Sequence, residues 1–89
     1  MSRTPPRNRL AKPLPDRWRA WLVDQGVPKR KYTAVVTATL ADGRRVEEVV
    51  VEEGWIVAVG LDQLASDTFE QAIPFDPDDL TSLVLEQVV

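Results

Sequence analysis

The alternation of apolar and polar residues is clearest in the middle of the chain. From Tyr32 to Ala41, β-branched residues are frequent and apolar positions recur at every second residue, which predicts a half-buried strand. The positions on its predicted core face are Tyr32, Ala34, Val36, Ala38 and Leu40. Asp42 and Gly43 follow directly and are a strong hairpin signal, so the next strand is expected to run back beside the first.

The second strand is predicted over residues 44–52, and its apolar positions change phase along the way. If Val49 and Val51 face the core, Val46 falls on the opposite face unless an extra residue is inserted before them. A β-bulge near Glu47-Glu48 would remove this conflict and would also bend the strand.

The remaining strands lie on either side of a segment without a clear pattern. A turn at Glu53-Gly54 leads into a strand over 55–60, so residues 32–60 are predicted to form a three-stranded antiparallel meander. Residues 80–88 are predicted to form the closing strand. Between them, residues 61–73 fit either a short helix or a loop followed by a short strand.

An acidic, proline-containing turn precedes the closing strand. Pro77 suits the first position of a single 3₁₀ turn, with Asp76 as its cap. Asp76, Asp78 and Asp79 have carboxylates that a divalent cation accepts, but the glycine and distal glutamate of an EF-hand loop are missing. We expect these acids to serve the turn, and we expect no metal site and no cofactor.

The N-terminal part divides into an arm and a helix. Residues 1–15 contain four of the seven prolines and four basic residues, which predicts a flexible, extended arm. Residues 16–25 predict a short helix with Asp16 as N-cap and Gly26 as its left-handed stop. Residues 16–89 are then a single small globular domain.

The element order predicts a mainly β (α+β) fold, with four to five strands and one short N-terminal helix. The strands would form either a small bent antiparallel sheet or an SH3-like or Sm-like barrel. A short helical turn before the closing strand resembles the layout of SH3-like and Sm-like barrels over residues 32–89. A four-stranded antiparallel sheet with two helices is the alternative. The expected core comprises Trp18, Trp21, Leu22, Val36, Leu40, Val49, Val51, Trp55, Val57, Val59, Phe75, Leu80, Leu83 and Leu85.

Charge divides the chain into two unequal parts, although the formal net charge is only −3. Residues 1–31 carry nine basic and two acidic residues, a net charge of +7, whereas residues 32–89 carry two basic and twelve acidic residues, a net charge of −10. Such a basic segment can reach an anionic partner or fold back on its own acidic body.

Composition excludes much chemistry. The chain has no cysteine and no histidine, so it lacks thiolate nucleophiles, the commonest general base and the usual zinc ligands. It contains no glycine-rich phosphate loop and no membrane-length apolar run. We therefore expect a cytoplasmic protein without catalytic activity, small-molecule substrate or membrane partner.

The basic segment contains the candidate partner-binding residues, because cations alternate there with tryptophans that share one helix face. These residues are Arg17, Trp18, Arg19, Trp21, Lys29, Arg30 and Lys31. The first hypothesis is a non-catalytic interaction or regulatory module that binds another protein through them. The second is a small nucleic-acid-binding protein that uses the basic arm, which the acidic body disfavours. The third is a homo-oligomer paired through the apolar C-terminal strand, residues 83–89.

Overall fold

The computed structural model describes residues 8–28, 31–60 and 70–88 as a single antiparallel sheet with one short helix. The elements are β1 (Lys12–Pro13), α1 (Asp16–Asp24), β2 (Thr33–Leu40), β3 (Arg45–Glu52), β4 (Trp55–Val59), a 3₁₀ turn (Pro77–Asp79) and β5 (Leu80–Val88). The strand order is β1-β4-β3-β2-β5, with β1 and β5 at opposite edges. The predicted mainly β fold with one N-terminal helix is confirmed, and the sheet stays open instead of closing into a barrel.

A bulge at Glu47-Glu48, one of the two possibilities that the sequence left open, is present and sets the phase of β3. Val36 pairs with Val49 and Ala38 pairs with Val46, so the two glutamates lie opposite one residue of β2. Glu48 takes up the extra length with a positive φ of 54°. The insertion turns Val46 back towards the core, against which it packs.

Two of the predicted turns, the hairpin at Asp42-Gly43 and the 3₁₀ turn at Pro77, are closed by an aspartate side chain. The Asp42 carboxylate accepts the backbone N–H of Arg44 at 3.0 Å, and this hydrogen bond is the main reason that its pKa is lowered. The Asp76 carboxylate accepts the N–H of Asp78 at 2.9 Å and caps the 3₁₀ turn that begins at Pro77.

Helix α1 starts at Asp16, the residue predicted as its cap, and therefore one residue earlier than expected. Pro15 occupies the N-cap position, and its carbonyl accepts the N–H groups of Trp18 and Arg19. The prediction of Asp16 as N-cap is wrong, because Asp16 is the first helical residue and makes no capping hydrogen bond. The predicted stop at Gly26 is confirmed by its φ of 93°.

The sheet buries apolar residues on both faces. The larger cluster lies on the face covered by α1 and comprises Leu14, Leu22, Val27, Tyr32, Ala34, Val36, Ala38, Leu40, Val49, Val51, Ile56, Ile73, Phe75, Leu80 and Leu83. Trp18, Trp21, Val59 and Leu85 are only partly buried but pack against it. The smaller cluster lies on the other face and comprises Val35, Val50, Val57 and Ala58, with Trp55 packed against it.

A further bulge explains why β4 departs from the expected core pattern. The expected core includes the alternate residues Trp55, Val57 and Val59, but Val51 pairs with Ile56 whereas its neighbour Val50 pairs with Ala58. The extra residue, Val57, shifts the phase, so Ile56 joins the larger cluster and Val57 the smaller one.

Two sequence predictions fall partly outside the described residues. Of the predicted arm, residues 8–15 lie against the sheet, with Asn8 and Leu14 fully buried, and the flexibility of the arm stays a prediction. Of the ambiguous segment 61–73, only residues 70–73 are described, and they are neither helix nor strand.

Candidate protein-interaction site

Arg17, the first predicted contact residue, lies at the N-terminal end of β5. Its guanidinium donates a 2.7 Å hydrogen bond to the Leu80 carbonyl and lies 5.2 Å from the centre of the Trp18 ring. Both contacts are to the protein's own chain, so the predicted site residue holds α1 against the edge of the sheet.

Arg19 also contacts its own chain. Its Nε donates to the Leu14 carbonyl at 2.9 Å, and its Nη1 lies 3.6 Å from the Asp16 carboxylate. The same side chain covers Gly54, where a Cβ would lie 3.2 Å from the Arg19 Nε. The guanidinium therefore ties the start of α1 to the turn between β3 and β4.

The two tryptophans of α1 are partly buried and pack on the larger cluster. Their rings meet edge to face, with centroids 6.1 Å apart and planes at 79°. The indole N–H of Trp18 is buried and has no hydrogen-bond partner in the described part of the chain. This packing makes the pair an anchor that holds the helix on the sheet. Side chains packed in this way are poorly placed to stack on the bases of a nucleic acid.

The remaining candidates, Lys29, Arg30 and Lys31, belong to the segment of the sequence that connects α1 with β2. Lys29 and Arg30 lie outside the described residues, whereas Lys31 is exposed and has a positive φ of 54°. Their joint role in binding a partner therefore stays a prediction.

The basic segment as far as it is described folds back on the body. Besides Arg17 and Arg19, Lys12 donates to the Phe75 carbonyl at 2.9 Å, and Arg9 forms an exposed ion pair with Glu70 at 3.4 Å. Four of the five described cations among residues 1–31 thus bind groups of the same chain. Most of these acceptors are backbone carbonyls, so attraction to the acidic body is only part of the cause.

One edge of the sheet, along β4, is covered by the chain itself. β1 pairs with Trp55 and Ile56, and the Leu14 N–H extends this pairing to the Gly54 carbonyl at 2.9 Å. Beyond β1, the Gln71 side-chain amide accepts the N–H of Val59 at 2.8 Å and donates to its carbonyl at 3.0 Å. We call this side of the sheet the closed edge.

Asn8 holds the closed edge together. Its side chain is fully buried and donates to the carbonyls of Val57 and Gln71, both at 2.8 Å. Its Oδ1 accepts the N–H groups of Leu10 at 3.0 Å and of Gln71 at 3.1 Å. One amide thus joins the N-terminal segment, β4 and the segment before the 3₁₀ turn.

The opposite edge, along β5, is open. β5 is nine residues long and pairs with β2 on one side, and no described strand lies on its other side. Val84 and Val88 are 53% and 47% exposed, which is high for valines in a strand. We call this side the open edge, and it is the longest unpaired stretch of strand backbone among residues 8–28, 31–60 and 70–88.

The hydrogen-bond pattern shows which groups of β5 face outward. The Ala41 N–H donates to the backbone carbonyl of Asp79, on the β5 side, whereas the Leu40 N–H donates to the backbone carbonyl of Arg44, on the β3 side. Because backbone groups alternate in direction along a strand, the N–H and C=O groups of Thr39 and Thr37 also point towards β5, where these residues pair with Ser82 and Val84. The backbone groups of Ser82 and Val84 therefore point towards β2. Those of Leu83, which lies between them, and of Leu85, which follows, point away from the sheet.

Bulges and Arg17 limit the usable part of the open edge. Register shifts place one extra residue of β5 at Thr81 and another at Glu86. Arg17 already occupies the Leu80 carbonyl. The segment 82–85 between the bulges is regular, and it contains the exposed side chain of Val84.

An open cavity of about 300 Å³ lies between α1, Pro28 and the turn from β3 to β4. Apolar groups of Leu22 and Val23 share its wall with Arg19 and Glu53. Tyr32 also lines it, and its hydroxyl accepts the Gly54 N–H at 2.9 Å. Burial raises the pKa of this tyrosine.

Sequence reasoning missed the residues that close one edge, because Asn8 and Gln71 lie 63 residues apart and neither belongs to a motif. It did single out the C-terminal strand, whose run of Leu-Val-Leu signals an apolar edge. No group of three or more metal-ligating side chains occurs in the described ranges. Likewise, no helix in those ranges is long and apolar enough to cross a membrane.

Comparison with known proteins leaves the chain without a family assignment. No protein-family model, no curated protein and no solved structure matches it.

Proposed function

We propose that this protein is a non-catalytic interaction module that binds another polypeptide by adding a strand along β5. The observation that carries the proposal is the open edge, where Leu83 and Leu85 direct unpaired backbone groups outward beside the exposed side chain of Val84. Strand addition derives its affinity from such main-chain groups and its specificity from alternate side chains.

The contrast between the two edges supports this choice. An unprotected edge is a general aggregation hazard, and this chain removes that hazard along β4 with Asn8, Gln71 and β1. Along β5 it retains only Arg17 and the two bulges, which leave the middle of the strand accessible. In this proposal, the layout that resembles an SH3-like barrel is an unclosed variant, with β5 free to accept a strand.

The basic segment supports a second, narrower contact. Arg9, Lys12, Arg17 and Arg19 already bind their own chain, so among the candidate residues an electrostatic contact to an acidic partner would rest on Lys29, Arg30 and Lys31. If these three residues contribute, the triple alanine variant weakens partner binding and reduces its dependence on salt. Nucleic-acid binding is less favoured, because the tryptophans of α1 pack on the core.

A labelled peptide with the sequence of residues 80–88, flanked by lysines for solubility, tests the strand-addition proposal. We expect it to bind with a Kd at or below about 1 mM and to slow hydrogen exchange at the Leu83 and Leu85 amides. The amides of Ser82 and Val84, which already face β2, serve as internal controls and change little. Absence of binding, or protection of Leu83 and Leu85 in the free monomer, would overturn the proposal.

A pair of variants separates backbone pairing from side-chain packing. Leu85→Pro removes an outward N–H together with the leucine side chain, whereas Leu85→Ala removes most of the side chain and keeps the N–H. We expect the proline variant to lose peptide binding and the alanine variant to retain it. Equal binding by two folded variants would contradict strand addition.

A further inference from the structure

We propose that the strand added at the open edge is β5 of a second copy, in antiparallel order, with a two-fold axis at Val84. This inference rests on the proposed function, because it uses the same edge and names its occupant. The direction of the backbone groups and the side chains of residues 82–86 both fit a second copy of β5.

The outward backbone groups restrict where such an axis can lie. Residues directly opposite each other must both point towards the partner strand or both away from it, so the axis passes through a residue and not between two. With the axis at Val84, Leu83 of one copy pairs with Leu85 of the other, and both point outward. The two symmetric pairs would form four backbone hydrogen bonds.

Neighbouring axes fit less well. An axis at Leu85 would set Leu83 against Gln87, but Gln87 pairs with Val35 and its backbone points inward to β2. An axis at Leu83 would set Leu85 against Thr81, the extra residue of a bulge. Of these three axes, only the one at Val84 pairs Leu83 with Leu85, the two residues whose backbone groups point outward. It also keeps these pairs within the regular segment between the two bulges.

Side-chain chemistry is self-complementary about the same point. Val84, 53% exposed in the single chain, would face its own copy in the closely spaced, non-hydrogen-bonded type of pair. Ser82 would lie opposite Glu86, so no like charges meet along the strand. An isologous interface needs such self-complementarity, and residues 80–85 carry no charge that would oppose it.

Symmetry sets the order of the two strands. A two-fold axis perpendicular to the sheet places two copies of β5 antiparallel and closes the assembly as a dimer. The acidic turn Pro77–Asp79 precedes the strand and Glu86 lies near its other end, so the two ends of β5 do not carry opposite charges and charge does not select the order.

Charge variants of the full-length chain at Val84 test the proposed axis. We expect the unmodified chain to associate to a dimer in sedimentation experiments between about 10 µM and about 1 mM, the range for a small interface. Val84→Lys and Val84→Glu each place like charges opposite each other and should weaken self-association roughly tenfold or more. An equimolar mixture of the two variants should restore dimerisation, because only then do opposite charges meet at the axis.

A control variant tests whether the effect is specific to the edge. Val23→Lys introduces the same charge at an exposed valine of α1 and should leave the dimer unchanged. Because both valines are exposed, we expect all the variants to fold, with unfolding midpoints close to that of the unmodified chain.

The outcomes separate this inference from the proposed function. A chain that stays monomeric up to about 1 mM, yet binds the peptide of residues 80–88, overturns the dimer and leaves strand addition by a foreign partner. A dimer that the single charge variants do not weaken, or that the mixture does not restore, overturns the axis at Val84. Failure of both self-association and peptide binding overturns the inference and the proposed function together.

Discussion

The two edges of the sheet face the same physical problem and solve it differently. At the closed edge, the outer backbone groups of β4 are paired by β1, by the buried amide of Asn8 and by the side chain of Gln71. At the open edge, Arg17 binds one carbonyl, and the outward backbone groups in the middle of β5 have no partner in the described part of the chain. The difference shows that sealing an edge needs groups delivered from distant parts of the chain.

The contrast also concerns stability. The closed edge is built from hydrogen-bonded polar groups that are buried at Asn8 and partly buried at Gln71, and their loss leaves several backbone donors and acceptors unsatisfied. At the open edge the outer backbone groups are exposed, so the stability of the monomer depends little on them. Changes at the closed edge should therefore destabilise the fold, whereas changes at the open edge should alter mainly association.

The largest effect is expected from Asn8→Ala, which breaks the closed edge. The substitution removes four hydrogen bonds and leaves the buried Val57 carbonyl and partly buried backbone groups of Gln71 without their partner. We expect the free energy of unfolding to fall by about 3 kcal/mol. Denaturant unfolding measures it, and Leu10→Ala, a change at an exposed residue of the same turn, should have little effect. A loss below about 0.5 kcal/mol for Asn8→Ala would contradict the assigned role.

A smaller loss is expected from Tyr32→Phe, at the corner where the closed edge meets the turn after β3. The buried Gly54 N–H then lacks its acceptor, which should cost about 1–2 kcal/mol. Burial raises the pKa of Tyr32, so the unfolded chain ionises first, and the tyrosine-dependent stability is present below about pH 10 and lost as pH rises above it.

The pH dependence provides its own control. Unfolding measured on both sides of pH 10 should show a steeper loss for the unmodified chain than for Tyr32→Phe. Because this is the only tyrosine in the chain, phenolate absorbance reports its ionisation directly. Parallel pH profiles for the two proteins would show that burial of Tyr32 does not contribute.

Arg17→Met tests the limited protection of the open edge. The variant keeps an apolar stem over Trp18 and loses the hydrogen bond to the Leu80 carbonyl. Since Arg17 is exposed, we expect a loss of only about 0.5–1 kcal/mol, measured by denaturant unfolding. Arg45→Met, which removes an exposed arginine of β3, is the control. Equal losses for the two variants would argue against a specific role for Arg17.

The smallest effect, and the only stabilising one, is expected from Glu48→Gly in the bulge between the two edges. Glu48 has a φ of 54°, a region that glycine enters at no steric cost. We expect the free energy of unfolding to rise by about 0.5 kcal/mol, measured by thermal or denaturant unfolding. The same change at the exposed neighbour Glu47, which lacks a positive φ, should destabilise the strand, and a similar gain at both positions would exclude this explanation.

The sequence alone determined the local features of this protein. Alternation predicted β2, β3 and β5, and the Asp42-Gly43 and Asp76-Pro77 signals predicted their turns. The phase change around Val46 indicated where a bulge could lie. These features follow from periodicity and backbone preferences over a few residues, which a sequence displays directly.

Only the tertiary structure decided which edge is closed and where the basic residues lie. Asn8 and Gln71 meet across 63 positions, and Arg17 reaches a carbonyl equally far along the chain. No local pattern records such contacts, because they depend on how the sheet is ordered and how α1 lies on it. The same reason explains why the basic segment predicted a partner contact, whereas its described part binds mainly the body of its own chain.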